Sequence, residues 1–297
     1  MNIILSLFRV SFLLAIIRMT VPILLAAIGD LYCERTGVLN IAVEGMMIVG
    51  AFAGFLGAYY GGDAHFGFVF ALFCGAVMGA AYAVFTVTLG CNQTVASLGF
   101  NMFGTGITAT LYKFIFGITT ESHSTENMPL IFGQNAFFYV AVLMVPVSWF
   151  IFKYTKWGLK LKAIGEHPRA AATVGVDVYR NRYIACIISG VLAALGGASL
   201  TIGGLGYFRE NMTAGRGFIA FSAVIFGRYN PVGTLVGCIV FGCADALQLN
   251  LQAQGISMPA NFFIMMPYVI TILALVLLNR KSFVPKAQAQ HYIKDAR

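Results

Sequence analysis

The chain has 297 residues, of which 59% are hydrophobic and only 10% are charged, and its mean hydropathy is +0.82. Soluble domains carry about 25% charged residues, so this composition excludes an ordinary soluble fold. A membrane β-barrel would alternate in roughly ten-residue segments. The apolar runs here are instead unbroken and about twenty residues long, which is the length of a spanning helix. The composition therefore predicts an all-α, polytopic transmembrane bundle in the lipid bilayer.

The formal net charge of +8 is interpreted as an orientation signal, because Lys and Arg are retained on the cytoplasmic side of a membrane protein. It is not taken to indicate nucleic-acid binding. The six cysteines are scattered without a C-x-x-C pair, and no His pair has metal-ligand spacing. The sequence therefore predicts neither disulfides nor a metal site. The first apolar stretch contains Arg9 and Arg18 and runs past the length of a signal-peptide core, so no cleavable signal peptide is predicted.

Hydrophobic segments follow one another along the chain, with one basic interruption near the middle. A polar link is predicted at 29–37, and the segment 217–226 is too short to cross a bilayer alone. Several early segments are interrupted by polar residues, so the predicted number of membrane crossings is a range, about eight to ten. The long apolar segments are 2–28, 38–60, 66–89, 95–116, 136–152, 183–205, 231–249 and 261–278.

The interruption at 153–182 gathers Lys and Arg and holds no long apolar run. Pro168 can open a helix, Glu166 suits its positive end, and Gly175 can close it in the left-handed conformation. A short helix is therefore predicted at 169–174. This loop and the basic tail at 280–297 are predicted to be cytoplasmic, whereas the loop at 117–135 carries no Lys or Arg and is predicted to be external.

Two short, glycine-interrupted apolar segments, 38–47 and 214–220, occupy similar places in the two halves. Broken segments at corresponding positions are typical of transporters built from inverted repeats, with the transport site near the membrane midplane. An inverted repeat with broken or re-entrant segments is therefore expected.

Eight polar residues within or beside apolar runs are candidates for a translocation pathway. The charged ones need a partner or a water-filled cavity, so they line a pore or form ion pairs and helix caps. The amides bind a sugar or nucleobase edge, or they join helices by hydrogen bonds. The candidates are Asn40, Glu44, Asn92, Gln93, Asn101, Arg216, Asp245 and Gln248.

No nucleophile–base constellation is visible, so the chain is predicted not to be an enzyme and to hold no cofactor. No lysine follows a glycine anywhere, which excludes a Walker A phosphate loop. If the chain pumps a solute, its energy comes from another subunit or from an ion gradient.

Three stretches carry a resemblance to a known family: GDLYCERTGVLNIAVEGMMIVGAF at 29–52, AIGEHPRAAATVGVDVYRNR at 163–182 and TAGRGFIAFSAVIFGRYNPVGTLVGCIVFG at 213–242. They resemble the permease subunits of ATP-binding cassette (ABC) importers in the branched-chain amino acid/ribose permease superfamily. The first stretch is similar to the hallmark SERxGvxNIxxEGMM of the simple-sugar and nucleoside branch. The ribose branch proper has a GIDLSVG-like element there instead.

The resemblance implies a single permease domain over 1–297 in the bacterial cytoplasmic membrane. It implies three partners: a second, related permease chain, a cytoplasmic ABC ATPase that hydrolyses the ATP, and an extracytoplasmic substrate-binding protein. Nucleosides are the expected cargo, with simple sugars or riboflavin as alternatives. An ion-coupled carrier working alone is the other hypothesis. The loop would couple to the ATPase through Glu166, His167, Pro168, Arg169, Ala170, Ala171 and Gly175, in a relaxed form of a Glu-Ala-Ala pattern.

Overall fold

The computed structural model of the chain describes residues 10–117, 123–253, 265, 269 and 284–292. Within these residues, ten α-helices account for the regular structure, and π-helical turns extend two of them, at Val84–Thr88 and Thr201–Leu205. The helices are α1 (Val10–Arg35), α2 (Val43–Gly61), α3 (Ala64–Ala83), α4 (Gln93–Phe116), α5 (Ala136–Tyr154), α6 (Lys156–Glu166), α7 (Pro168–Thr173), α8 (Val178–Leu200), α9 (Arg216–Phe226) and α10 (Pro231–Ala253).

Six helices of the described part are long and apolar enough to cross a membrane. They are α1, α2, α3 with its π turn, α5, α8 with its π turn, and α10. The prediction of a polytopic helical bundle is therefore confirmed. The short helix predicted at 217–226 is α9, with 11 residues. The predicted segment 261–278 lies outside the described residues, so the total of eight to ten spans stays a prediction.

The polar link predicted at 29–37 is wrong, because α1 continues as a helix to Arg35. Asp30 and Glu34 lie inside this helix and are fully buried in the bundle. Glu34 is accommodated because its carboxylate accepts hydrogen bonds from the Asn40 N–H, at 3.0 Å, and from the Gln288 amide. A rule that equates charge with a loop fails where tertiary partners supply the missing hydrogen bonds.

The basic stretch at 153–182 contains more helix than the sequence predicted. Thr155 caps α6 by accepting a hydrogen bond from the Gly158 N–H at 3.1 Å. Asp177 caps α8 by accepting one from the Arg180 N–H at 3.0 Å, so α8 begins at Val178 instead of the predicted 183. Both caps use side chains that commonly satisfy the free N–H groups at a helix start.

The centre of the bundle is α8, which packs against α1, α2 and α3. Its small residues permit very close approach: a Cβ on Gly197 would lie 1.8 Å from the Met47 carbonyl oxygen, and one on Gly190 would lie 2.3 Å from the Gly75 carbonyl oxygen. Small residues at helix interfaces have this use in membranes, where apolar burial gives helices no net attraction.

The two ends of the bundle are distinct. At one end, residues 284–292 pack against α6 and α7, with the Ala287 N–H 2.9 Å from the Gly165 carbonyl oxygen. At the other, the loop after α4 pairs with the end of α8, with the Thr125 N–H 2.7 Å from the Gly206 carbonyl oxygen. The central loop and the tail thus lie at the same end, as expected if both are on the same side of the membrane. That this end faces the cytoplasm stays a prediction.

Candidate functional site

A non-helical linker, residues 36–42, joins α1 to α2 inside the bundle. Its Asn40 is fully buried and donates to the Ser189 hydroxyl at 2.9 Å, while its own side-chain oxygen accepts from the Ala42 N–H. Tyr82 donates its hydroxyl to the Leu39 carbonyl oxygen at 2.5 Å. Irregular backbone at membrane depth is tolerated only where protein or a water-filled cavity satisfies it, and here protein side chains do so.

Three polar side chains of α4, spaced four residues apart on one helical face, run alongside this linker. They provide the hydrogen bonds that a regular helix would have provided internally. Asn101 also closes the start of α2, because Gly45 is the third residue of that helix and its N–H has no partner within the helix. The contacts are Leu39 N–H to Gln93 Oε1 (2.7 Å), Ile41 N–H to Ser97 Oγ (3.2 Å), Gly45 N–H to Asn101 Oδ1 (2.8 Å) and Asn101 Nδ2 to the Ile41 carbonyl oxygen (3.0 Å).

The carboxylate of Glu44, in the first turn of α2, caps the start of α9. Its Oε1 accepts from the Thr213 hydroxyl at 2.6 Å and from the Gly215 N–H at 2.9 Å, and its Oε2 accepts from the Gly217 N–H at 2.6 Å. A carboxylate suits the positive end of a helix, where N–H groups have no partner of their own. The two segments singled out in the sequence, 38–47 and 214–220, therefore meet directly.

This meeting point lies within the bundle. The 11 residues of α9 rise about 16 Å, roughly half of a bilayer core of about 30 Å. Just beyond the far end of α9, the Tyr229 carbonyl oxygen accepts from Arg35 Nε at 2.6 Å, at the end of α1. Both α2 and α9 thus begin near the middle of the bundle, and their N-terminal ends are capped by polar side chains.

Arg216, the first residue of α9, has its side chain largely buried beside α10. Its guanidinium donates to the carbonyl oxygens of Met212, at 3.5 Å, and Thr213, at 3.3 Å. A carboxylate oxygen of Asp245 lies 3.8 Å from Nε, and this Nε makes no hydrogen bond to the residues that the structure describes. Gln248 is half-buried one turn further along α10. Arg216 and Asp245 therefore form a long ion pair between α9 and α10.

The structure brings together most of the residues proposed for a pathway. Asn40, Glu44, Gln93 and Asn101 surround the linker and the start of α9, whereas Asn92 lies apart and caps α4 at its exposed end. Their hydrogen bonds go to backbone and hydroxyl groups, so each has a structural role. Their part in solute transport stays a prediction. Ser97, Tyr82 and Ser189 were missed, although the four-residue spacing from Gln93 to Asn101 marks Ser97.

The second candidate element is the coupling hairpin, defined here as residues 166–175. The predicted short helix is confirmed as α7, which begins with Pro168 at its first turn, and Gly175 follows with a φ of +82°. Ala170 is exposed, whereas Ala171 is buried in a small cluster with Ile164 and Tyr292. Ala170 is thus accessible on the outer face of the hairpin, whereas Ala171 packs the hairpin against the rest of the chain.

Two groups outside the membrane-spanning helices have shifted pKa values. Burial, reinforced by the nearby charge of Arg35, lowers the pKa of Lys162, whose ammonium donates to the Phe152 carbonyl oxygen at 2.8 Å. Burial also raises the pKa of the Tyr229 hydroxyl, and Glu34 adds to that shift.

Comparisons with known proteins identify the family of the chain. The model of the family described as "Branched-chain amino acid transport system / permease component" matches residues 12–275. The chain is 33% identical to the guanosine ABC transporter permease protein NupQ of Bacillus subtilis, over 93% of this chain and 94% of that one.

It is 36% identical to the putative glucose ABC transporter permease protein TsgC13 of Haloferax volcanii, over 86% of this chain and 82% of that one. It is 31% identical to the nucleoside ABC transporter permease protein NupC of Lactococcus lactis, over 92% and 94%. No solved structure matches. The chain is thus a member of the family of branched-chain amino acid transport system permease components.

Proposed function

We propose that this chain is the membrane-spanning subunit of an ABC importer that carries nucleosides across the bacterial cytoplasmic membrane. The relatives named for guanosine and nucleoside transport each align with more than nine-tenths of the chain. The observation that carries the proposal is the coupling hairpin, which holds a short helix exposed at one end of the bundle. Such an element suits contact with a separate, energy-supplying protein.

In this proposal the hairpin docks on a cytoplasmic ATPase, which binds and hydrolyses the ATP, and this chain holds no cofactor. Exposed Glu166, His167, Arg169 and Ala170 make the contact. Nucleotide-driven closure of the ATPase then moves the hairpin, and the attached spans move with it. Because α6 is capped at Thr155, packs into the core through Leu161 and contacts the cluster of Ala171 through Ile164, the hairpin moves as a rigid unit with the spans.

The solute pathway is proposed to run past the start of α9, between this chain and a second, different permease chain. Broken helices with their N-terminal ends near the midplane are the usual setting for a transporter's binding site. Arg216, Asp245 and Gln248 are proposed to border it, since Arg216 begins α9 and its contact with Asp245 on α10 is long, at 3.8 Å. An extracytoplasmic binding protein would deliver the solute.

A simple sugar is the second candidate cargo. The observation that favours it is the 36% identity to the protein named as a putative glucose transporter permease. Both cargoes offer hydroxyl groups to neutral and charged hydrogen-bonding residues, so the two proposals share one mechanism.

The test is uptake of labelled guanosine, adenosine and glucose into cells with and without this chain. Ala170→Glu places a carboxylate on the exposed face of α7, and uptake is expected to disappear while the chain still inserts. Val284→Glu, which adds the same group at an exposed position nearby, serves as the matched control.

A parallel strain carries the partner ATPase without its Walker lysine. Loss of the same uptake in both the Ala170→Glu and the Walker-lysine strains supports an ATP-driven importer and identifies the cargo. Uptake that needs this chain but survives loss of the Walker lysine would overturn the proposal in favour of an ion-coupled carrier.

A further inference from the structure

The segment 284–292, here called the C-terminal strap, connects two parts of the molecule that the sequence places far apart. Its backbone bonds the region between α6 and α7, with the Ala287 N–H 2.9 Å from the Gly165 carbonyl oxygen. Two residues later, the Ala289 N–H lies 3.0 Å from the carbonyl oxygen of Gly37 in the linker. The strap therefore bridges the coupling hairpin and the linker that leads to α2.

Side chains reinforce both attachments. At the linker, the Gln288 amide donates to the Glu34 carboxylate, and Arg182 donates to the Gln290 carbonyl oxygen at 3.2 Å. At the hairpin, Tyr292 is buried, and its carbonyl oxygen accepts from the Tyr179 hydroxyl at 3.0 Å. The strap is thus bound along its length, and its contacts reach the end of α1 and the start of α8.

The strap and the linker are in tight backbone contact at Gly37. Gly37 has a φ of +79°, and a Cβ there would lie 2.8 Å from the Ala287 carbonyl oxygen. A displacement of the strap therefore pushes directly on the linker backbone, because dense packing transmits strain.

The outer face of the strap forms one wall of a cavity of about 480 Å³, and the coupling hairpin forms the other. The hairpin contributes Glu166, His167 and Arg169 to the lining, and the strap contributes Lys286 and His291. All five are exposed residues. Two permanent cations thus face one carboxylate, so the cavity favours an acidic group from outside the chain.

We propose that the strap is the second wall of the ATPase docking surface. An acidic side chain of the ATPase enters the cavity between Arg169 and Lys286, and the strap carries the resulting movement to the linker before α2. This inference rests on the proposed function, since it takes the hairpin to be the place where an ATPase binds.

The experiment uses the complete transporter, purified through a tag on this chain. Lys286→Glu reverses a charge in the cavity, and the amount of co-purified ATPase is expected to fall about tenfold, the loss that one charge-assisted contact represents. Lys160→Glu makes the same charge reversal at an exposed residue of α6, outside the strap and the cavity lining, and is expected to leave co-purification unchanged. Raising the salt concentration is expected to lower ATPase retention by the unaltered chain.

Gln288→Met tests transmission separately. It keeps the side-chain volume but removes the donor to Glu34, and it lies outside the cavity lining. The ATPase is expected to co-purify normally and to hydrolyse ATP, while the solute imported per ATP falls. A purely structural role would instead lower binding, hydrolysis and uptake together.

The outcomes separate the two proposals. If Ala170→Glu removes the ATPase but Lys286→Glu and Gln288→Met both behave as the unaltered chain, the strap has no such role and the coupling hairpin stands. If Ala170→Glu leaves ATPase binding intact, the proposed function itself fails. Thermal unfolding of each purified variant confirms that the chain is folded before either conclusion is drawn.

Discussion

Gly217 packs so closely against Glu44 that position 217 has no room for a side chain. The Gly217 N–H donates to Glu44 Oε2 at 2.6 Å, and a Cβ on Gly217 would lie 2.5 Å from the Glu44 Cα. With the bonds from Thr213 and Gly215, this contact joins the start of α9 to the first turn of α2. The backbones of the two broken segments are therefore in close contact, and the Glu44 carboxylate links them by hydrogen bonds.

Gly217→Ala is expected to destabilise the chain by about 1–3 kcal/mol, because an added methyl group must displace the α2 backbone. The measurement is the apparent melting temperature of the detergent-purified chain. Gly106→Ala is the matched control, since nothing lies within 4 Å of that position on α4. There the same change should be neutral or mildly stabilising. Equal effects at the two positions would refute the close contact.

Glu44→Ala is expected to lower both stability and uptake, because it leaves three donors without their acceptor. Hydrogen bonds to charged groups contribute about 1.5–3 kcal/mol each. Glu44→Gln keeps one carbonyl oxygen and should recover part of the loss. Melting temperature and uptake are measured together. Normal values for Glu44→Ala would show that Glu44 is merely a tolerated polar residue.

Asn101→Leu should destabilise the linker, since it removes both the acceptor for the Gly45 N–H and the donor to the Ile41 carbonyl oxygen. Leaving two buried backbone groups unpaired costs about 1–3 kcal/mol each. Hydrogen exchange at the start of α2 is the measurement, and faster exchange is expected. Thr110→Ala, at an exposed position of the same helix, serves as the control. Unchanged exchange in the Asn101 variant would contradict the role given to α4.

Asp30→Leu and Glu34→Leu are expected to act in opposite directions, although the two residues lie one turn apart on α1. Both carboxyl groups are fully buried. Among the described residues, neither oxygen of Asp30 has a hydrogen-bond partner, whereas Glu34 accepts from the linker and from Gln288. Burying an unpaired polar group is costly, so Asp30→Leu should raise the melting temperature and Glu34→Leu should lower it. A fall for Asp30→Leu would contradict this assignment. A rise accompanied by lost uptake would identify Asp30 as a group kept for transport.

Gly175→Ala should weaken coupling to the ATPase. With a φ of +82°, the position costs an L-residue about 1–2 kcal/mol, so the turn after α7 would relax to another shape. The measurement is uptake at a fixed amount of chain in the membrane, and a partial loss is expected. Val174→Ala, at the exposed neighbouring position, should leave uptake unchanged. The reverse pattern would show that the turn geometry does not matter.

The local part of this fold could be predicted from the sequence because its causes are local. Pro168 and Gly175 mark the ends of the coupling hairpin by backbone preference alone, and the apolar runs mark the spans by length. Asp30 and Glu34 were misread as a loop because their environment is set by helices far along the chain. Local secondary-structure propensity does not depend on such distant partners, so it could not predict them.

The same reason limits prediction of the candidate site. Glu44 was singled out by its charge in an apolar run, and a helix cap was one of the roles considered. Its partner helix, however, is 173 residues away at Gly217. The C-terminal strap was predicted only as a basic tail. It is held by backbone hydrogen bonds to Gly165 and Gly37, and such bonds do not depend on the type of residue that makes them.

The linker before α2 also has a consequence for how the protein is made. Three of the side chains that bond this linker and the start of α2 come from α4, between 54 and 60 residues later in the chain. Until α4 arrives, the start of α2 would carry bare N–H groups into lipid, which is strongly unfavourable. The ribosome must therefore deliver α4 before α2 can leave the protected lateral exit of the insertion machinery. The early helices should thus enter the bilayer as a group, in contrast to the one-by-one release of uninterrupted spans.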